Sequence, residues 1–252
     1  MPIDFNIDAG IAVITINRPE ARNAIDRETA LAVETAVRQI DSQKDIRVGV
    51  ITGAGSHFCA GMDLKAFLRG EVVRLPGTGF AGVTQASCSK PLIAAVEGYA
   101  LAGGFEIALA CDMVVAAQGS QFGLSEVKRG LVANAGGLVR LPRQLPAKIA
   151  NELVLVGDMH PAARLATHGL VNVVTSDGLA LEGAMELARK IAANGPLAVA
   201  VSRRVLSESL EWPVEELFDR QNAITAAVFA SADAKEGAQA FAEKRRPVWR
   251  GE

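Results

Sequence analysis

The sequence predicts an α/β domain built on a sheet covered by helices on both faces, followed by an all-helical C-terminal region. Three observations carry that prediction. Short β-branched runs alternate with segments of helical periodicity in the first part of the chain. Those runs are continuously apolar rather than alternating, which is the pattern of strands buried on both faces. After about residue 194 no convincing strand remains, so the expected division is 1–195 and 196–252.

Residues 11–16 (IAVITI) read as a strand closed by Asn17-Arg18-Pro19. Asp26 then opens a helix as its N-cap, with Ala30, Val33, Val37 and Ile40 spaced to make one apolar face. Residues 47–52 form a second strand, ended by the turn Gly53-Ala54-Gly55. Residues 92–96 form a third, followed by the pair Gly103-Gly104 and a helix over 103–111. Strands at 113–117 and 170–174 complete the set. In the C-terminal part, helices are expected over 197–210, 214–229 and 232–243, with Pro213 near the start of the second, where a proline is tolerated. This appendage is expected to pack on its own domain or on another subunit.

At 252 residues, half of them apolar, the chain is long enough to bury a sizeable core. A formal net charge of −2 supplies no basic footprint for nucleic acid or an anionic membrane. The three cysteines, Cys59, Cys88 and Cys111, are odd in number and scattered, which fits a reducing compartment better than a disulfide framework. With His57, His160 and His168 they make no metal-spaced set, so no metal site is expected. The start, MPIDFNIDAG, lacks the basic and apolar regions of a signal peptide. The apolar stretch 91–117 carries Glu97, Glu106, Asp112 and glycines, and reads as buried core rather than a membrane span. The expected location is cytoplasmic.

Two acids stand out. Glu106 lies inside the most apolar stretch of the chain, directly behind Gly103-Gly104, and Glu126 follows shortly in SQFGLSEVKRG. Burying an unpaired carboxylate is costly unless its pKa rises or a partner compensates. Two of them beside a glycine-flanked helix start point to general acid–base chemistry. Gly103 at a helix N-terminus offers a free N–H, and the turn HFCAGMDLK offers a second near Met62, because Gly61 permits the bend. Two such donors would form an oxyanion hole for a carbonyl gaining enolate charge. Losing one typically costs about 3–4 kcal/mol of transition-state stabilisation. Each element also has an ordinary explanation. Glu106 complements the first turn of its helix, and Glu126 pairs on the surface with Lys128 or Arg129.

The segments FCAGMDLK, AAVEGYALAGGFEIALACD and SQFGLSEVKRGLVANAGGLVRLP resemble the signature blocks of the crotonase superfamily, the enoyl-CoA hydratase/isomerase family. The likeness runs from INRPEARNAID near the start to AFAEKRRPVW near the end. It implies a spiral of ββα units, C-terminal helices that mediate trimerisation (often within a hexamer of two trimers), and an acyl-CoA thioester as substrate. Coenzyme A would arrive as part of that substrate, with no separate cofactor. The same resemblance implies that Met62 and Gly103 hold the thioester oxygen through their N–H groups. Glu106 would activate the water that attacks C3, and Glu126 would protonate C2. Arg22 and Lys244 would approach CoA phosphates, and Ala60, Asp63, Leu64 and Lys65 would offer main-chain contacts to its adenine and pantetheine parts.

Some positions depart from the family pattern. Ala102 stands first in a motif that is GGG in many hydratases, a change expected to be mild. Ala133 replaces a common proline in GLVANAGG, where Asn134 is expected to line the pocket, and Met62 replaces a common alanine. The stretches DLKAFLRGE, GFAG and AFAEKRRPVW resemble the carnitinyl-CoA dehydratase branch. Hydration or dehydration of an enoyl-CoA is the leading expectation, with a carnitinyl-CoA-type dehydratase or an enoyl-CoA isomerase as alternatives. A non-catalytic scaffold binding acyl-CoA or RNA is the alternative from another class. The presence of both acids and both N–H positions weighs against it.

Overall fold

The computed structural model describes residues 1–252. The chain opens with an antiparallel hairpin of β1 (Ile3–Asp8) and β2 (Ile11–Ile16), then α1 (Arg27–Ser42) and β3 (Val48–Gly53), which lies parallel to β2. A short helix α2 (Leu64–Leu68) and a small hairpin, β4 (Arg74–Leu75) with β5 (Gly79–Phe80), lead to β6 (Leu92–Val96). Next come β7 (Tyr99–Leu101), α3 (Gly103–Ala110), β8 (Met113–Ala117) and β9 (Gln121–Gly123). Helices α4 (Gly137–Gln144) and α5 (Ala147–Val156), strand β10 (His160–Pro161), helix α6 (Ala162–Thr167), strand β11 (Val173–Thr175) and helix α7 (Ala180–Ala192) follow. The chain ends with α8 (Pro196–Glu208), α9 (Leu217–Phe229) and α10 (Ala232–Ala242).

Six strands form the main sheet in the order β1-β2-β3-β6-β8-β11, with only β1 antiparallel to its neighbour. Its inner strands β3, β6 and β8 are almost wholly apolar because both faces are covered. Residues of alternating parity along each strand join different clusters. Ile11, Val48, Val50, Ile93, Ala95 and Val115 pack with Ala184 and Ala188 of α7. Ala12, Ile14, Ile51, Ala94 and Val114 join the larger cluster on the other face, with Ala30, Val33, Val37 and Ile40 of α1. Asp26 caps α1 as the sequence implies, its Oδ1 accepting the Thr29 N–H at 2.8 Å.

A second sheet, β10-β9-β7, positions the site. Twice the chain passes from the main sheet to this one, from β6 to β7 and from β8 to β9. The strands β7 and β9 are parallel, with Leu101 opposite Gly123, so their C-terminal ends lie side by side. The first end feeds α3, which carries Glu106, and the second feeds a 3-10 turn over Glu126–Arg129. This arrangement brings together two acids carried by different elements.

Some elements differ from expectation. The strand expected at 170–174 lies at Val173–Thr175, because Leu170 and Val171 are buried in the approach to it and Asn172 bonds to Val114. Strand β1 was not expected, since Asp4, Asn6 and Asp8 give an outer edge strand a polar face. The helices α8, α9 and α10 run close to their expected spans, with a 3-10 turn at Val214–Glu216 before α9. Arg203 of α8 ties this region to the core, its Nε 2.8 Å from both Asp112 carboxylate oxygens. The helix α9 buries none of its residues, and Phe218, Phe229 and Phe241 are 74%, 80% and 88% exposed. No helix is long and apolar enough to cross a membrane.

Candidate active site

The loop after β3 is shaped by Asn23, a fully buried side chain whose Nδ2 donates to the Ala54 and His57 carbonyls. His57 stacks on Tyr99 of β7 with ring centroids 4.5 Å apart, pinning the loop to the small sheet. Two isolated bridges then fix its path. Cys59 N–H donates to the Tyr99 carbonyl, and Leu101 N–H to the Cys59 carbonyl, at 2.9 and 3.0 Å. On the opposite side, Ile25 N–H donates to Gly61 O at 2.8 Å and Asp63 N–H donates to Ile25 O at 2.9 Å. A residue held between two such bonds turns its own N–H and C=O away from the partner. Met62 is that residue, so its N–H faces away from Ile25.

Gly61 sits at φ +96°, where a side chain is strained, and a Cβ there would lie 3.1 Å from the Gly103 nitrogen. The loop therefore rides directly over the start of α3. Gly103 is the first residue of that helix, which has no side-chain cap, so its N–H is one of the unpaired donors of a helix start. The structure thus brings the Met62 and Gly103 segments together, with neither N–H committed to a main-chain acceptor. Phe80 backs Gly103 so closely that a Cβ would fall 2.5 Å from its ring. The preceding Ala102 adopts φ +50° and ψ −126°, a conformation suited to glycine and strained for alanine. The replacement expected to be mild therefore stores backbone strain at the mouth of the site.

Glu106 is 3% exposed. Its Oε1 accepts the N–H groups of Ala135 and Gly137 at 2.7 and 2.8 Å, so the GLVANAGG loop hangs on this carboxylate. Burial raises its pKa, against the pull of those two donors and of the Arg74 and Arg140 guanidiniums. Glu126 has a buried Oε2 with no partner. Burial raises its pKa as well, and the Glu106 charge adds to the rise. The surface pairs that would have explained Glu126 are absent: Lys128 binds Asp158, and Arg129 donates to Ser125 at 3.0 Å. Nor is Glu106 merely a complement to its helix, since it binds a separate loop. Glu106 is buried and Glu126 half-buried with one oxygen enclosed, and the two carboxyls are electrostatically coupled and follow adjacent strand ends.

Of the residues expected to meet CoA, Arg22 and those from Ala60 to Lys65 lie together beside the Met62 loop. Arg22 is exposed and left-handed at φ +52°. The Ala60 N–H is already bound to Arg22 O, and the Asp63 N–H to Ile25 O. The Asp63 carboxylate caps α2 through the Lys65 and Ala66 N–H groups and meets Arg18 Nη2 at 3.0 Å. Burial pushes Asp63 up, but Arg18 and the cap outweigh it and hold the carboxyl below its usual range. Arg18 Nη2 also reaches Asp26 at 3.1 Å, so one guanidinium joins the N-caps of α1 and α2. Leu64 and Lys65 begin α2 with exposed side chains. Lys244 stands apart after α10, exposed and left-handed, with no hydrogen bond to the segments above. No three His, Cys, Asp or Glu side chains converge as a metal-binding group.

Sequence reasoning missed the anchoring of Glu106 to Ala135 and Gly137, although the Gly136-Gly137 pair marked a tight main-chain approach. It also missed Phe80, Arg74 and Arg140, which carry no motif.

A family model described as enoyl-CoA hydratase/isomerase matches residues 6–252. The chain belongs to that family. Among members of the enoyl-CoA hydratase/isomerase family, a carnitinyl-CoA dehydratase from Salmonella typhi is 44% identical over 250 residues, spanning 96% of this chain and 95% of that protein. The crystal structure of an enoyl-CoA hydratase from Mycobacterium marinum is 52% identical with a TM-score of 0.98, covering 100% of this chain and 99% of its own. That of a carnitinyl-CoA hydratase from Mycobacterium avium is 43% identical with a TM-score of 0.80, covering 100% and 99%. The expected resemblance, including its carnitinyl-CoA dehydratase side, holds over the chain.

Proposed function

We propose that the protein catalyses reversible addition of water across the 2,3 double bond of an enoyl-CoA thioester. The observation that carries this reading is the pair of a buried Glu106 and a half-buried Glu126 with one enclosed oxygen, coupled and raised in pKa, beside two free main-chain N–H groups. The thioester oxygen accepts the Met62 and Gly103 N–H groups, which draws electron density from C3. Glu106, as carboxylate, takes a proton from water while the water oxygen bonds to C3. The enolate charge rests on the thioester oxygen until Glu126, as carboxylic acid, delivers its proton to C2. Dehydration reverses each step.

The division of roles follows from the surroundings of each acid. Two external N–H donors favour the ionised form of Glu106, whereas Glu126 has a buried oxygen without a donor and the Glu106 charge nearby, which favour its protonated form. CoA lies along the rim in this reading. Arg22 faces its phosphates, and Ala60, Asp63, Leu64 and Lys65 border its adenine and pantetheine parts. Lys244 reaches a phosphate from a neighbouring subunit, and no cofactor is needed beyond the CoA of the substrate. The exposed Phe218, Phe229 and Phe241 support a role for residues 196–252 in trimer formation, alone or within a hexamer. A carnitinyl-CoA dehydratase is the second reading within the same chemistry, favoured by the 44% identity to proteins of that name.

The test is a panel of enoyl-CoA thioesters followed by loss of enoyl absorbance and a mass gain of one water. Turnover of at least one, abolished in Glu126→Gln and in Glu106→Gln, is expected. Near-normal activity in either variant would remove that residue from the mechanism, and inactivity toward the whole panel would remove the mechanism itself.

A further inference from the structure

Arg74 is placed where a residue reading the far end of the acyl group would stand. In the hairpin β4–β5 it pairs directly with Phe80. Directly opposed residues of an antiparallel pair project from the same face. The Phe80 ring lies against Gly103, one of the two oxyanion N–H positions, so the Arg74 side chain leaves the hairpin on the active-site side. Its Nη2 donates to the Asn134 carbonyl at 2.7 Å, in the loop whose Ala135 and Gly137 hold Glu106. The guanidinium lies close enough for its charge to act on the Glu106 carboxyl.

Arg74 is exposed and makes no salt bridge with any Asp or Glu, and its other N–H groups have no acceptor in the chain. Arg140 contributes a second guanidinium within range of Glu106, and it too lacks a carboxylate partner, donating instead to the Thr84 carbonyl. The nearby acids outside the site are engaged elsewhere: Glu34 binds Arg38 and Thr78, and Glu71 binds Arg69 and the Arg27 N–H. The wall between Phe80 and the 130–137 loop is therefore cationic, with donors to spare.

Resting on the hydratase reading above, we infer that Arg74 is a specificity residue which selects an acyl chain ending in a carboxylate and disfavours one ending in a quaternary ammonium. A guanidinium offers a planar fork matched to a carboxylate and offers a trimethylammonium only repulsion. Its hydrogen bond to Asn134 fixes one arm and leaves the others to meet the chain end.

The experiment compares three substrates that share the 2,3-enoyl thioester and differ in the group on C4: crotonyl-CoA with a neutral end, glutaconyl-CoA with a carboxylate and crotonobetainyl-CoA with a trimethylammonium, each ratio being read against the same ratio in Arg74→Ala so that intrinsic reactivity cancels. In the wild type, kcat/KM for glutaconyl-CoA should exceed that for crotonobetainyl-CoA by about a hundredfold, about tenfold from each charge sign at a partly solvated site. Arg74→Ala should collapse that ratio toward unity, and Arg74→Glu should invert it. Equal or better use of the ammonium substrate by the wild type overturns the inference. So does a uniform loss on all three in Arg74→Ala, which would reduce Arg74 to a prop for the loop. If the wild type hydrates none of them, the hydratase reading falls. Calorimetric binding of glutaryl-CoA, butyryl-CoA and γ-butyrobetainyl-CoA then decides the charge preference on its own, with a flat ranking as the refuting result.

Discussion

Glu106 holds two main-chain donors on one oxygen, so its two simplest replacements are expected to move stability in opposite directions. In Glu106→Gln the amide oxygen keeps the bonds from Ala135 and Gly137, at 2.7 and 2.8 Å in the wild type, and the volume is preserved. What disappears is a buried charge whose pKa burial has raised. The folded protein holds that proton more tightly than the unfolded chain. Below the ordinary carboxyl range, about pH 4, both states are protonated and the wild type bears no penalty. As pH rises through the unfolded and then the folded titration, the unfolded chain ionises first and wild-type stability is lost.

Glu106→Gln escapes that loss, so it should be the more stable protein at pH 7.5, with its advantage gone by about pH 4. Glu106→Ala instead leaves two buried N–H groups without an acceptor, at about 1–3 kcal/mol each. It should therefore be about 2–6 kcal/mol less stable than Glu106→Gln, or roughly 5–20 °C in Tm. Thermal unfolding of the three proteins at both pH values measures this. Amide exchange at Ala135 and Gly137 should stay slow in the Gln variant and accelerate in the Ala variant. A Gln variant less stable than wild type at pH 7.5, or equal stability of Gln and Ala, would refute the argument.

Hydration should follow a bell-shaped pH profile in kcat/KM. Because both carboxyls are raised by burial, its limbs should lie above the ordinary carboxyl range of about 4, and an acid limb at or below that range would contradict the assignment. Gly103→Ala puts a Cβ 2.5 Å from the Phe80 ring, which must displace the ring or the N–H; kcat should fall about 10²–10³-fold, with partial recovery in Gly103→Ala/Phe80→Ala. Ala102→Gly relieves a residue at φ +50° and should raise Tm by about 2–4 °C, whereas an unchanged or lower Tm would show that the strain is negligible.

How legible these features were in the sequence depends on whether a local pattern had a single physical cause. The strands at 11–16, 92–96 and 113–117 were readable to the residue, since burial on both faces explains such largely apolar, β-branched or small-residue runs. Asp26 was readable because a carboxylate before an apolar stripe has one obvious use. The helices α4 to α7 were not anticipated. Pro142 interrupts the pattern in α4, whereas α7 has an apolar face of Ala184 and Ala188 with Met185, Leu187 and Ile191 beside them, which the reading of the sequence passed over. In the site, the placement of Glu106 within an apolar run signalled its burial. Arg74 in VVRLPG looks like any hairpin arginine, and only the cross-strand partner that packs on Gly103 reveals which way it faces.

Arg18 carries a consequence for how such a site tolerates change. Its guanidinium bridges the N-caps of α1 and α2 from a position 45 residues before Asp63, in a loop with no hydrogen bond to Glu106 or Glu126. The orientation of the Met62 N–H is thus inherited from the opening hairpin as well as from the loop that bears it. Enzymes recombined from family members by crossing over between Arg18 and Asp63 would join a clamp from one parent to a cap from another. Such chimeras can fold soundly and still misalign the Met62 N–H of the proposed oxyanion hole, so compatible parents are those that share this ion pair.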